Sequence, residues 1–322
     1  MKKIYVFIFT TIILSIFSSC SIQQMAYNAI APLPEVQYKA ETKSKKNADA
    51  NPILAFTGES DVQLVADAFP VLLKGIEMLY FNNKKHRGIA VMAGQLYIMY
   101  ANAFVERPAS QLSDDFYDEK YAGLMRAKKF YLRGSEYALQ ALEEEYSGFL
   151  KAVFDENEEI AMSAIKRLRI HNVETIYYGA SGILAAFALE PMDPDILEQV
   201  SGARLMLERA TELRPDYNDG ALWEVLTSFY GAAPEYLGGG MDKAEYAYKN
   251  ALEYSRGESP STYVTYAKTF CVPTQDGKAF ENALKKALSI DPDARPETRL
   301  MTILSQNDAR WLLEHKSEFI YE

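Results

Sequence analysis

The sequence predicts an all-α fold, built as a helical-pair array with degenerate tetratricopeptide-like repeats. Three observations carry that expectation. Apolar residues recur at i, i+3 and i+4 over long segments from residue 59 onward. Strand-type alternation is almost absent, and proline and glycine fall between the periodic segments. A pattern of small and large positions also repeats through the C-terminal half.

The chain opens with Lys2 and Lys3, followed by an apolar run over residues 4–17, interrupted by Thr10, Thr11 and Ser15. A membrane-spanning helix needs roughly 20 apolar residues, so this run is short for a span. It is followed by Phe17-Ser18-Ser19-Cys20, with small residues before the cysteine. That arrangement reads as a bacterial lipoprotein signal peptide over residues 1–19, with Cys20 lipidated as the mature N-terminus. Phe17 stands where such signals usually place leucine, and an ordinary secretory signal with a chance cysteine is the alternative. On the first reading the protein is a periplasm-facing lipoprotein, anchored to a cell-envelope membrane, inner or outer.

Only two cysteines occur, Cys20 and Cys271. With Cys20 acylated, Cys271 has no intrachain partner, and the exported domain holds itself together by burial alone. About 260 residues are enough for that. Cys271 follows Tyr266, Ala267 and Phe270, and reads as a small buried hydrophobe. Loss of Lys2 and Lys3 takes the net charge from −10 to −12. The densest basic group is Lys166, Arg167 and Arg169, too little for a nucleic-acid footprint. Membrane attachment is therefore assigned to the lipid and not to a polybasic patch.

Residues 20–58 carry Pro32, Pro34, Pro52 and a polar run with little periodicity, and are expected to form a flexible tether. Residues 59–322 are expected to form a single α-helical, tetratricopeptide-like domain. Ser60 and Asp61 are N-cap types, and Val65, Phe69, Leu72, Leu73 and Ile76 follow at helical spacing, with Pro70 as an expected kink. A second, very apolar helix is expected over residues 85–106, and its composition implies burial on several sides. A third runs over residues 118–146, with Tyr121, Leu124, Ala127, Tyr131, Gly134, Ala138 and Leu142 on one face.

Beyond these, Ala203, Leu207, Ala210 and Pro215 match the second-helix pattern of a tetratricopeptide repeat. Phe280, Leu284, Ala287 and Pro292 match it with phenylalanine in the small position. Ala244, Tyr248 and Ala251 match without the proline. Trp223, Leu226 and Tyr230 fit the first-helix positions. Small residues let paired helices approach, and proline ends the second helix.

Motifs for bond chemistry are missing. His86, His171 and His315 are isolated and read as caps or surface groups. There is no His-Glu-x-x-His and no Gly-x-Ser-x-Gly. Gly238-Gly239-Gly240 lacks a following Lys-Ser/Thr and reads as a turn, and Glu143-Glu144-Glu145 reads as a solvated helix end. An enzyme is not expected, nor a cofactor or metal. The abundant chemistry is aromatic, with 22 tyrosines and 16 phenylalanines. Tyr97, Tyr100, Phe104, Tyr131, Tyr177, Tyr178, Trp223 and Tyr230 are the candidates to line a ligand pore. The same residues also read as core and helix-interface packing, the more common role of such aromatics. Gly179, Ala180 and Gly182 beside the tyrosine pair suggest close backbone approach there.

Four stretches together resemble the T-component lipoproteins of tripartite ATP-independent periplasmic (TRAP) transporters. They are Ala66-Asp67-Ala68-Phe69-Pro70-Val71-Leu72-Leu73-Lys74-Gly75-Ile76, then Arg126-Ala127-Lys128-Lys129-Phe130-Tyr131-Leu132-Arg133-Gly134. The third comprises Leu207-Glu208-Arg209-Ala210 and Tyr217-Asn218-Asp219-Gly220-Ala221. The last runs from Pro234-Glu235-Tyr236-Leu237-Gly238-Gly239 to Ala309-Arg310-Trp311-Leu312-Leu313. The resemblance covers about residues 55–320. It implies a homotrimer with a hydrophobic pore in each subunit and a periplasmic TRAP substrate-binding protein as partner. It also implies a hydrophobic or amphiphilic small molecule as cargo. A lipid-anchored accessory component of such a transport system is the expected function. The alternative is an envelope scaffold that assembles proteins without binding a ligand.

Overall fold

The computed structural model describes residues 24, 27–43 and 54–321. The signal segment and Cys20 lie outside them. Among the described residues the secondary structure is helical, with no strand. The principal helices are α1 (Pro34–Lys43), α2 (Val62–Asn82), α3 (Arg87–Tyr100), α4 (Tyr117–Glu145), α5 (Phe149–Val153) and α6 (Glu158–Ile165). They continue with α7 (Val173–Leu189), α8 (Pro194–Leu213), α9 (Ala221–Ala232), α10 (Met241–Tyr254), α11 (Pro260–Tyr266), α12 (Gly277–Leu288) and α13 (Arg299–Glu314).

Asp61 caps α2 by accepting from the Leu64 N–H at 3.0 Å. Pro70 sits inside this helix, and Val65, Phe69, Leu73, Ile76 and Tyr80 form its buried face. His86 caps α3: its Nδ1 accepts from the Ile89 N–H at 3.2 Å. The proton therefore sits on Nε2, which donates to Asn28 Oδ1 at 2.9 Å. Burial pushes His86 down from its ordinary pKa and holds it neutral, as this cap requires. Past Tyr100, α3 widens into a π-helical turn, Ala101–Glu106, before a short helix over Arg107–Ser110. By length and composition Arg87–Ser110 could cross a membrane, but 67% of its most apolar stretch is buried by its own neighbours, so it is the core helix.

The centre of the array is the contact of α3, α4 and α7, where glycines meet. A Cβ on Gly94 would stand 2.7 Å from Ala138 Cβ and 2.8 Å from the Gly134 carbonyl oxygen. One on Gly134 would stand 3.0 Å from the Gly94 oxygen, and one on Gly182 2.3 Å from Ser135 Oγ and 2.9 Å from the Tyr131 oxygen. These helices therefore touch backbone to backbone. Ile89, Ala93, Ala138, Leu142, Ile176, Ala180 and Ile183 close the space around the contact, all at or below 1% exposure.

Farther along, α9 pairs with α10, and α11 with α12 and α13. The small and large positions read as repeats fall on facing surfaces: Ala203, Leu207, Ala210, Ala244, Ala251, Phe280, Leu284 and Ala287 are all buried, and Tyr248 is half-buried. Cys271 is buried in the second core with Phe280, Leu284 and Leu312, and burial pushes its thiol up to about 11. This thiol is unreactive at neutral pH.

Two expectations change. Residues 27–43, expected within a tether, lie on the body: Tyr27 and Ala31 are 5% and 1% exposed, and α1 runs against the start of α7. The acidic run is not a solvated end. Glu143 accepts from the Gly148 and Leu150 N–H groups at 2.6 and 2.9 Å, capping α5. Glu145 is held by Arg87 at 2.5 Å and His171 at 2.8 Å, and Glu144 alone is exposed.

The glycine contact gives a paired test. Gly182→Val adds volume where no space exists and is expected to cost about 1–3 kcal/mol. Gly75 on the exposed side of α2 has nothing within 4 Å of a Cβ, so Gly75→Ala is expected to stabilise by roughly 0.5–1 kcal/mol. Thermal melts of the two variants should move in opposite directions. An unchanged melt for Gly182→Val would refute the backbone contact.

Candidate functional site

The eight aromatic residues singled out from sequence occupy four places. Tyr97, Tyr100 and Phe104 line up along α3 and its π turn, in a ladder with Phe69 of α2 and Phe130 and Tyr137 of α4. Ring centroids are 5.4 Å apart for Phe69–Phe104, 5.6 Å for Tyr100–Phe130 and 5.7 Å for Tyr97–Tyr137. Such tilted pairs contribute about 0.5–1.5 kcal/mol each beyond burial. Arg126 and Arg133 cover the outer side, their guanidinium carbons 4.9 Å from the Phe130 centroid and 5.4 Å from that of Tyr97. Tyr97 is 1% exposed, so this end of the ladder is packed solid.

Tyr131 points the other way from α4. Its hydroxyl donates to Glu106 and accepts from Asn102 Nδ2 at 3.2 Å. Arg107 Nε then donates to Asn102 Oδ1 at 3.3 Å, and its guanidinium pairs with Asp308 at 2.5 Å. Burial raises the Glu106 pKa, against the hydrogen bond from Tyr131, which lowers it. The π turn matters here. An extra residue in the turn shifts the helix phase, and such turns recur at functional sites. Its first half carries Asn102 and its end carries Glu106, and both reach the Tyr131 hydroxyl.

Tyr177 and Tyr178 belong to a third group, at the start of α7. Glu174 precedes them by three and four residues and shares their face. Tyr177 lies 5.0 Å from Tyr178 and 5.4 Å from Tyr217, ring to ring. Gln95 of α3 donates to the Tyr178 hydroxyl at 2.9 Å. Glu174 is bonded by Gln37 of α1 and faces Glu41 and Arg214. Its carboxyl is half-buried, and burial chiefly, with the Glu41 charge, pushes it up to about 7. Burial also raises the phenols of Tyr177, Tyr178 and Tyr217. Close by, Glu224 of α9 feels the same burial and accepts from Ser261 at 2.8 Å and Thr262 at 3.2 Å.

Trp223 and Tyr230 stand apart. The Trp223 N–H donates to the Pro215 oxygen at 2.9 Å, and its ring meets Tyr246 edge-on at 5.8 Å. The Tyr230 hydroxyl donates to Glu208 at 2.8 Å, beside Phe229. Both are tied into helix joints. The candidate site is therefore the region between α3, α4, α7 and α9, where Tyr177, Glu174, Glu224, Phe104 and Glu106 are half-buried. Phenols, amides and acids held toward their neutral forms suit a molecule that is mostly apolar with one polar end.

Sequence reasoning missed Glu174, Tyr217, Gln95, Glu106 and Glu224. For Glu174 a signal was present, since a carboxylate one turn before a tyrosine pair shares their helix face. The others meet only through the fold. Glu35, Glu145 and His171 also bring ligand-type atoms within 4.8 Å of one another. Arg87 stands among them and donates to both carboxylates, at 2.7 and 2.5 Å, which supplies the positive charge a metal would bring.

The family model described as "TRAP transporter T-component" matches residues 58–320. An uncharacterised protein of Treponema pallidum (strain Nichols) is 41% identical over 309 residues, covering 95% of this chain and 94% of the relative.

Glu174 makes stability depend on pH. Its folded pKa lies above the unfolded value, so the folded state loses stability as pH rises from about 4.5 to about 7, and stays level above. Glu174→Gln removes that loss. Denaturant unfolding of both proteins at pH 5 and pH 8 should show the variant gaining at pH 8, by at most about 3 kcal/mol, relative to pH 5. Parallel pH profiles would contradict the burial of this carboxyl.

Proposed function

Because the chain belongs to the TRAP transporter T-component family, whose role is accessory to transport, we propose that it is a lipid-anchored periplasmic subunit that docks the system's substrate-binding protein and holds a hydrophobic or amphiphilic molecule in its interior. Lipidation is assigned to Cys20 and assembly to a homotrimer, as the family resemblance implies.

The observation that carries the ligand-holding part is the Glu174–Tyr177–Tyr178–Tyr217 group. Its side chains are buried deeply enough to shift their proton affinities, yet Tyr177 and Glu174 keep partial exposure. Deep side chains with residual surface are what a ligand-holding internal space would require. Burying an apolar ligand there yields about 25 cal/mol per Å² before association costs. The solid packing around Tyr97 and Tyr131 supports the second reading, a scaffold that assembles partners without cargo.

Two measurements separate these. Tagged full-length protein solubilised from envelopes should capture the TRAP substrate-binding protein; failure to do so counts against docking. The fluorescent probe N-phenyl-1-naphthylamine should bind saturably, one per chain, and about tenfold more weakly to Tyr177→Ala, a difference of roughly 1.4 kcal/mol. Absence of saturable binding alongside capture of the partner would leave the scaffold reading standing.

A further inference from the structure

Residues 27–43 cross one pole of the helical array, where several helix ends meet. At the α2–α3 turn, Asn82 donates to the Tyr27 hydroxyl and His86 to Asn28, and the Tyr27 and His86 rings stand 5.8 Å apart. Next, the backbone at Ala31 and Pro32 lies on the first turn of α3. A Cβ at Gly88 would stand 2.2 Å from the Ala31 oxygen and 2.4 Å from the Pro32 oxygen. Gly88 is a helical residue, so its missing side chain serves this crossing. Glu35 pairs with Arg87 at 2.7 Å, and Glu41 with Arg214 at 3.0 Å, under the Arg214–Tyr38 ring contact at 5.9 Å. The segment is thus a strap seated along its length.

The strap changes the reach of an anchor at Cys20. Were residues 20–58 free, the body could stand more than about 100 Å from the point of attachment. With Tyr27 fixed at the α2–α3 turn, only six residues lie between it and Cys20, a span of at most about 25 Å. That turn exposes Phe81 at 58% and Met78 at 73%, with Lys84 over the Phe81 ring at 5.4 Å and Lys85 beside it. Glu136 and Glu144 lie on the Tyr80 flank, so the corner is not polybasic. Its chemistry is an aromatic ring flanked by lysine, which suits the headgroup boundary of a bilayer.

We propose that the strap orients the body, so that the corner formed by Phe81, Lys84 and Lys85 rests against the lipid bilayer and the opposite pole, with the α9–α10 loop, faces away. This inference rests on the lipidation of Cys20. The acyl chains supply the attachment, and the strap converts it from a leash into a mount. Tyr236, 82% exposed, follows the C-terminal end of α9, whereas Arg214, which holds the strap through Glu41, precedes its N-terminal end, so the length of α9 separates the two.

The test uses the full lipidated chain in phosphatidylethanolamine–phosphatidylglycerol vesicles carrying a headgroup quencher. Fluorophores are attached at Lys84→Cys or Tyr236→Cys; Cys271 is buried and Cys20 is blocked. Quenching is expected to be at least threefold stronger at position 84. Gly88→Ala, or Glu35→Lys if the first variant folds poorly, should bring the two positions together. Equal quenching in vesicle-bound wild-type protein would overturn the mount while leaving the lipid assignment intact. Failure of the protein to float with vesicles would overturn the lipid assignment and the mount with it.

Discussion

The backbone contact of α3, α4 and α7 is the constraint on which the rest of the structure depends. Gly94 and Gly134 face each other, and Gly182 lies over Ser135 and the Tyr131 carbonyl. Helices this close leave no room between them for large side chains, so the rings of α3 and α4 are displaced to the flanks. That displacement creates the aromatic ladder on one side and the Tyr178–Gln95 contact on the other. The segment Arg126 to Gly134 shows both halves of the arrangement. Its glycine enters the contact, while its arginines stand over the displaced rings.

Polar groups inside this array are costly to bury, and three buried carboxyls are answered by partners from elsewhere in the chain, while Ser135 Oγ and Thr175 Oγ1 are buried without one. Tyr131 answers Glu106; Ser261 and Thr262 answer Glu224; Gln37 answers Glu174. Such pairs contribute little net stability, because desolvation offsets most of the attraction. Their effect is to penalise alternative packings, which would leave a carboxyl buried alone. At the strap pole the same logic runs through charges. Arg87 holds Glu35 and Glu145, and His171 completes the group by bonding Glu145. A segment rich in polar residues is thereby fixed to the body.

Much of the fold was legible because long amphipathic helices announce themselves. The periodicity placed the starts of α3 and α4 within one or two residues, and the third helix, expected over residues 118–146, spans Tyr117–Glu145; the second, expected over residues 85–106, is α-helical only over Arg87–Tyr100 before the π turn. The small residues read as repeat positions lie on buried helix faces. What escaped was whatever depends on contacts far apart in sequence. The strap has proline, charge and little periodicity, and its order comes from Gly88, Arg87 and Arg214, at least 50 residues away. The π turn after Tyr100 has no compositional mark. Of the eight aromatic candidates, spacing showed which share a helix face, but not that Trp223 and Tyr230 sit at joints away from Tyr177 and Tyr178.

The proposed cargo role needs an interior that is greasy and enclosed, and the proposal places it beside the largely buried helix α7. Burial pushes the acids at positions 174, 106 and 224 toward their neutral forms. The central claim is that this interior is occupied by a small apolar molecule in the cell. Native mass spectrometry of full-length protein released from envelopes in mild detergent tests it most directly. The account predicts a non-covalent adduct of a few hundred daltons, extractable into organic solvent and separable from the mass of the Cys20 lipid. A bare polypeptide-plus-lipid mass, unchanged on incubation with envelope extract, would contradict it.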